Sequence, residues 1–244
     1  MGTHKGERGS SGRMRVARRV LIVIVVLGGL FVAADRLAVS FAENKAAEQA
    51  QTSENLSSKP KVSIEGFPFL TQIALGKLND VKISSSDMGA SVGSQTLTLD
   101  TFQAELHGVK FSNGFTEAVA DTGDGNAFVT YASVNKAVPA GMTVTYGGTS
   151  SDGKALVKLS GSYDNADYTV TSELSVTDGQ TISLHAVNLP TAYTALGLED
   201  EMRQVVDLKI QLPSLPAGLK VTSVSTASDG ISVAVSGKDV VLAS

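Results

Sequence analysis

Side chains suited to proton transfer or metal ligation are scarce in this 244-residue chain. It has three histidines, His4, His107 and His185, and no cysteine. A thiol nucleophile, a disulfide framework and a cysteine metal site are therefore excluded. His107 in "ELHGVKF" and His185 in "SLHAVNL" each stand alone in a strand-like segment, whereas a metal site needs several converging ligands. The stretch "DTGDGN", residues 121–126, spaces Asp and Asn like part of a calcium loop but lacks the full pattern and its closing Glu, so it reads as a turn. Asp200 and Glu201 are neighbours on a presumed helix and read as a solvated face, not as paired carboxylates across a cleft. No G-x-S-x-G elbow, Walker loop or dinucleotide fingerprint occurs. These observations point to no catalytic residue, metal site or cofactor, and away from an enzyme. With no Trp and few other aromatics the chain lacks the stacking platforms of single-stranded nucleic-acid binding.

The elements around these residues are better marked. Residues 1–34 carry six basic side chains and one acidic one, so the remaining chain holds a charge of −9 within a total of −4. An acidic body repels nucleic acid and gains little from anionic headgroups, so contact with lipid has to be mainly apolar. Arg13, Arg15, Arg18 and Arg19 precede an uncharged apolar run over residues 20–34. Fifteen helical residues span about 22 Å, against a hydrocarbon core of roughly 30 Å. The run therefore fits a secretory signal with small residues before Asp35, or an uncleaved anchor that borrows Leu37, Val39 and Phe41. Either reading exports the body and keeps the arginines inside. The division expected is a disordered basic leader over 1–19, a signal or anchor over 20–34, and one exported domain over 35–244.

Residues 35–55, rich in Ala, Glu and Gln, predict a helix with Leu37 and Phe41 on one face. Beyond Lys61 the chain alternates apolar and polar residues, as half-buried strands do, in "VSIEG", "VKISSS", "LTLDTFQAELHGVKF", "ALVKLSGSY", "YTVTSELSV" and "ISVAVSGKDVVL". Turn dipeptides punctuate them at Asn113-Gly114, Asp124-Gly125, Asp152-Gly153, Asp178-Gly179 and Asp229-Gly230, which implies hairpins and antiparallel pairing. A late helix is expected over residues 189–206, with Leu198, Met202, Val205 and Val206 on one face. The fold class is α+β: one long antiparallel sheet whose apolar face is covered by helices from both ends of the chain.

Bulky apolar residues are concentrated in "SIEGFPFLTQIALGKLNDVKIS", residues 63–84. Pro68 suits a first helical turn, and Phe69, Leu70, Ile73, Ala74 and Leu78 recur at spacings of three and four. With Phe67 they form an apolar plug between sheet and helices. It is either a core corner or the lining of an elongated apolar cavity. Lys59, Lys61, Lys77 and Lys82 lie close by in sequence, as a solvated edge-protecting face or, at Lys77 and Lys82, as contacts to a phosphate headgroup.

Gly66-Phe67-Pro68-Phe69-Leu70, Gly76-Lys77-Leu78 and Val81-Lys82-Ile83, with the closing segment "LPAGLKVTSVSTASDGISVAVSGKDVVL", resemble the LmeA-like phospholipid-binding proteins of the actinobacterial cell envelope. The resemblance implies an exported phospholipid-binding protein, a candidate carrier, with a strongly curved sheet wrapped around a long helix as in tubular lipid-binding (TULIP) domains. Leu37, Phe41, Phe67, Phe69, Leu70, Ile73, Leu78, Leu198, Met202 and Val205 would then line the apolar space. A ligand-free structural module of the envelope is the alternative.

Overall fold

The computed structural model describes residues 10–53, 56–92, 95–138, 140–163, 166–212 and 215–243. Its first element is one unbroken helix, α1 (Ser10–Ser53). The part of the expected disordered leader that falls on residues 10–19 is therefore helical, and residues 1–9 lie outside the described residues. No proline or glycine stands at the junction between the apolar run and the Ala- and Glu-rich segment, so the two propagate as one helix through Asp35-Arg36.

Six strands form the first sheet: β1 (Lys61–Glu65), β2 (Lys77–Val92), β3 (Gln95–Ser112), β4 (Glu117–Thr130), β10 (Leu219–Thr226) and β11 (Gly230–Ala243), in the order β1-β2-β3-β4-β11-β10. Five more form the second: β5 (Thr143–Thr149), β6 (Ala155–Tyr163), β7 (Ala166–Thr177), β8 (Thr181–Ala186) and β9 (Lys209–Gln211), in sequence order. Pairing is antiparallel throughout, and neither sheet closes into a barrel.

Two sheets replace the single one expected. The cause is a helix the sequence reading missed, α3 (Tyr131–Ala137), which ends the ladder after β4. Its Asn135 side chain donates to the Val144 carbonyl at 3.0 Å and accepts from the Val144 amide at 2.6 Å, starting β5 on a new path. The expected turn at Asp124-Gly125 also gives way: both residues lie within β4, paired with Glu105 and Ala104 on one side and Ser236 and Val235 on the other. Glycine is needed there for close packing, because a Cβ at Gly125 would stand 2.9 Å from Val235 Cγ2.

The late helix is two short ones, α4 (Thr191–Ala195) and α5 (Glu199–Val206), divided at Gly197, whose φ of +73° no helix continues through. They cover the second sheet. Met202 and Val206 are fully buried with Val157, Leu159, Val170 and Tyr193, and Leu198 and Val205 pack around this cluster. The first sheet has its own core, where α1 and the short helix α2 (Phe69–Ala74) meet Leu78, Leu106, Val109 and Val240. Helices from the two ends of the chain thus serve different sheets.

Candidate functional site

The helix α1 presents two faces beside the first sheet. Asp35, Val39 and Ala47 are buried, and Ala38 and Ala42 lie partly buried between them. These small residues let the helix lie close to the strands. On the outer face Leu27, Leu30, Ala34, Leu37 and Phe41 recur at spacings of three and four, and all are exposed. The stripe ends at Phe41, since Asn44, Lys45 and Glu48 follow on that face. Of the three residues an anchor would borrow, Leu37 and Phe41 therefore face outward and Val39 faces the core.

Four contacts fix how β1 and α2 run along this helix. The Lys59 Nζ lies 3.5 Å from the Glu48 carboxylate. The Ile64 amide donates to Glu43 Oε1 at 2.8 Å. The Phe67 ring lies under the Arg36 guanidinium, 5.2 Å from its centroid. The Leu70 amide donates to Asp35 Oδ1 at 2.8 Å. The chain thus descends α1 from Glu48 to Asp35 and delivers α2 beside the C-terminal end of the apolar run. Lys77, which opens β2, and the β3–β4 turn sit at this same end, since the Phe111 amide donates to the Gly76 carbonyl.

Asp35, which the sequence reading passed over as a helix position, holds α2 to α1. Its side chain is fully buried, with Oδ2 paired to Arg36 at 2.6 Å and Oδ1 held by α2. A lone acid at the end of a 15-residue apolar run was the available signal. Gln72, also buried, accepts from the Asn79 amide at 2.8 Å and donates to the Glu65 carbonyl, closing the loop between β1 and β2.

The two phenylalanines around Pro68 part company. Phe69 is 5% exposed, whereas Phe67 is 58% exposed. Leu70 and Ile73 pack on the core that holds Phe69 and Leu78. Leu75, at the C-cap of α2, is 77% exposed. The expected apolar residues therefore do not line one space. Phe69, Leu70, Ile73 and Leu78 meet α1 and the first sheet, Leu37, Phe41 and Phe67 point outward, and Leu198, Met202 and Val205 belong to the second core, because α5 packs on the other sheet.

Among the described residues a concavity of about 530 Å³ lies over β1–β4, lined mainly by charged and polar residues. Glu65, Glu105 and Asp124 line it against Lys61 and Lys82. Lys82 lies 3.5 Å from Glu105 and 3.7 Å from Glu65, and these carboxylates, Glu105 foremost, raise its pKa above the ordinary lysine value. With three carboxylates to two lysines, the concavity does not favour a phosphate. Lys77 shares Asp121 with Lys110, at 3.9 Å and 2.5 Å respectively. The Lys110 hydrogen bond is the main cause of a lowered Asp121 pKa, and its partial burial works the other way. Both headgroup candidates thus have their charge matched inside the protein. His107 Nδ1 contacts Asp80 Oδ1, and His185 Nδ1 lies 2.9 Å from Asp207 Oδ2.

Compared with known proteins, the chain matches the family model described as LmeA-like phospholipid-binding over residues 33–236, and it belongs to that family. No curated protein and no solved structure matches it. The match begins beside Asp35 and takes in α2 and both sheets.

Proposed function

We propose that the protein is an exported, membrane-tethered phospholipid-binding protein of the cell envelope, acting as a lipid carrier and not as an enzyme. The observation that carries this reading is the continuity of α1. A helix long and apolar enough to cross a membrane runs without a break onto the first sheet of a phospholipid-binding family member. The acyl chains would lie where α1 and α2 cover that sheet, around Phe69, Leu78 and Val39. A long helix laid on an antiparallel sheet is the arrangement a tubular lipid-binding domain requires. The small residues and few polar contacts that hold α1 down would let the helix layer lift to admit a chain.

The ligand-free alternative has an observation of its own. The junction is filled, with Val109 2% exposed and Ala120 and Val240 fully buried. A single measurement separates the two. The full chain, extracted in mild detergent and stripped of lipid, is mixed with vesicles containing a fluorescent phosphatidylglycerol, and bound lipid is counted by native mass spectrometry. Near-stoichiometric phospholipid is expected. No retained lipid and no uptake would leave the structural module as the function.

A further inference from the structure

We infer that the α2 end of the body is seated in the outer layer of the bilayer, so that the protein docks on the membrane through α2 and the outer face of α1. This rests on the reading of α1 as a membrane helix. The depth follows from the helix rise. Residues 20–34 span about 22 Å, short of a hydrocarbon core of roughly 30 Å. The exposed apolar stripe supplies the difference, because residues 20–41 span about 33 Å. Over residues 35–41 the helix therefore lies at membrane depth while its inner face is already packed on the body. Whatever packs there shares that depth, and the contacts at Asp35 and Arg36 show that it is α2.

The composition of α2 and the state of Asp35 both suit that depth. The stretch "GFPFLTQIALG", residues 66–76, has no charged side chain. Its exposed positions are Gly66, Phe67, Thr71, Ala74 and Leu75, so its free surface is uncharged and carries two large apolar groups. Asp35 brings a charge to the bilayer edge, where an unpaired carboxylate is costly. Here it is enclosed, with α2 donating to one oxygen and Arg36 to the other. Arg36 lays its guanidinium over Phe67 and remains half exposed, as a side chain reaching towards headgroups does. At this end Lys77, Lys110 and Arg36 are balanced by Asp121, Glu117 and Asp35, so the seating is apolar and independent of anionic lipid.

The absence of tryptophan makes depth directly measurable. Four single variants of the full chain, Phe67→Trp, Leu75→Trp, Leu27→Trp and Leu196→Trp, are reconstituted in phosphatidylcholine vesicles with and without phosphatidylglycerol. Quenching by lipids brominated at different depths is compared with quenching by aqueous iodide. Leu196 is a suitable reference, being 74% exposed on the lobe built by the second sheet. The indoles at positions 67 and 75 should emit at shorter wavelength than the one at position 196. They should lie about 5–10 Å within the headgroup and acyl boundary. The indole at position 27 should lie deeper, the one at position 196 should remain open to iodide, and the order should not change with phosphatidylglycerol. If the Leu27→Trp variant is quenched by lipid while Phe67→Trp and Leu75→Trp are quenched only by iodide, the body stands clear of the membrane and the inference fails. Lipid quenching of Leu196→Trp equal to that of Phe67→Trp would overturn the assignment of this end. An indole at position 27 that stays in water would remove the membrane helix and the docking together, whereas phospholipid retention in micelles is decided independently.

Discussion

Replacing Phe67 and Phe69 separately by alanine should give very unequal losses of stability, although one proline alone separates them. A phenylalanine side chain buries on the order of 200 Å² when fully enclosed. Phe69, at 5% exposure, buries nearly all of it, and Phe67, at 58%, less than half. The difference is roughly 100 Å², worth about 2.5 kcal/mol at about 25 cal/mol per Å². Phe69→Ala also leaves a void against Leu78 and Val39, which brings its cost into the range of about 3–5 kcal/mol. Phe67→Ala opens no void and loses the Arg36 contact, worth about 0.5–1 kcal/mol at an exposed site. At roughly 2–4 °C per kcal/mol for a body of this size, Phe69→Ala should melt about 5–15 °C below Phe67→Ala. The assay is thermal unfolding of the full chain in one detergent, followed by circular dichroism of the sheet signal. Equal losses from the two variants would refute the division between a core phenylalanine and a surface one, and with it the exposed apolar face of α2.

Two further outcomes follow. Met202→Ala should cost about 2–5 kcal/mol, because Met202 is fully buried, yet leave phospholipid uptake by the folded fraction unchanged, since α5 packs on the second sheet; reduced uptake at full folding would return Met202 to the lipid site. The Asp80 hydrogen bond raises the His107 pKa above 6.5 against a smaller opposing effect of burial, so the pair stabilises the fold at mildly acid pH, fully so below the unfolded value near 6.5. That contribution is lost as pH rises through the folded pKa, and solvent exposure of the pair keeps it small; an NMR titration should place the His107 midpoint above that of the unfolded chain, and His107→Gln should flatten the melting temperature between about pH 6 and 8.

Much of this architecture was legible in the sequence because it depends on local patterns. Alternating strands, the hairpin at Asp178-Gly179 with φ of +53° and +71°, and the short helix after Pro68 all follow from neighbours along the chain. The division into two sheets was not legible. It depends on Asn135 reaching Val144, and nothing local distinguishes that asparagine from a turn residue. Asp124-Gly125 failed as a turn for the same reason: its glycine serves a close approach to Val235, a residue 110 positions away. At the site, periodicity identified α2 but did not separate Phe67 from Phe69, because the helix that decides which one is covered is contributed by residues 35–47.

Asp35 joins the two halves of the problem. A carboxylate directly after an apolar run reads as the polar end of a membrane segment or the first residue of a processed chain. Its enclosure gives it a different physical role. Both of its oxygens are committed, one to the amide that opens α2 and one to the next residue along α1, so the orientation of α2 against α1 is set by hydrogen bonds to a charge. Such bonds are strong because they are removed from water, and they remain removed only while α2 stays in place. On the proposed docking, lifting α2 to admit a lipid would uncover this charge at the bilayer edge. A carrier built this way has a closed resting state and a charged cost to opening, lowest where headgroups and water can solvate Asp35. If α1 anchors the body as proposed, the loading position is the membrane surface itself.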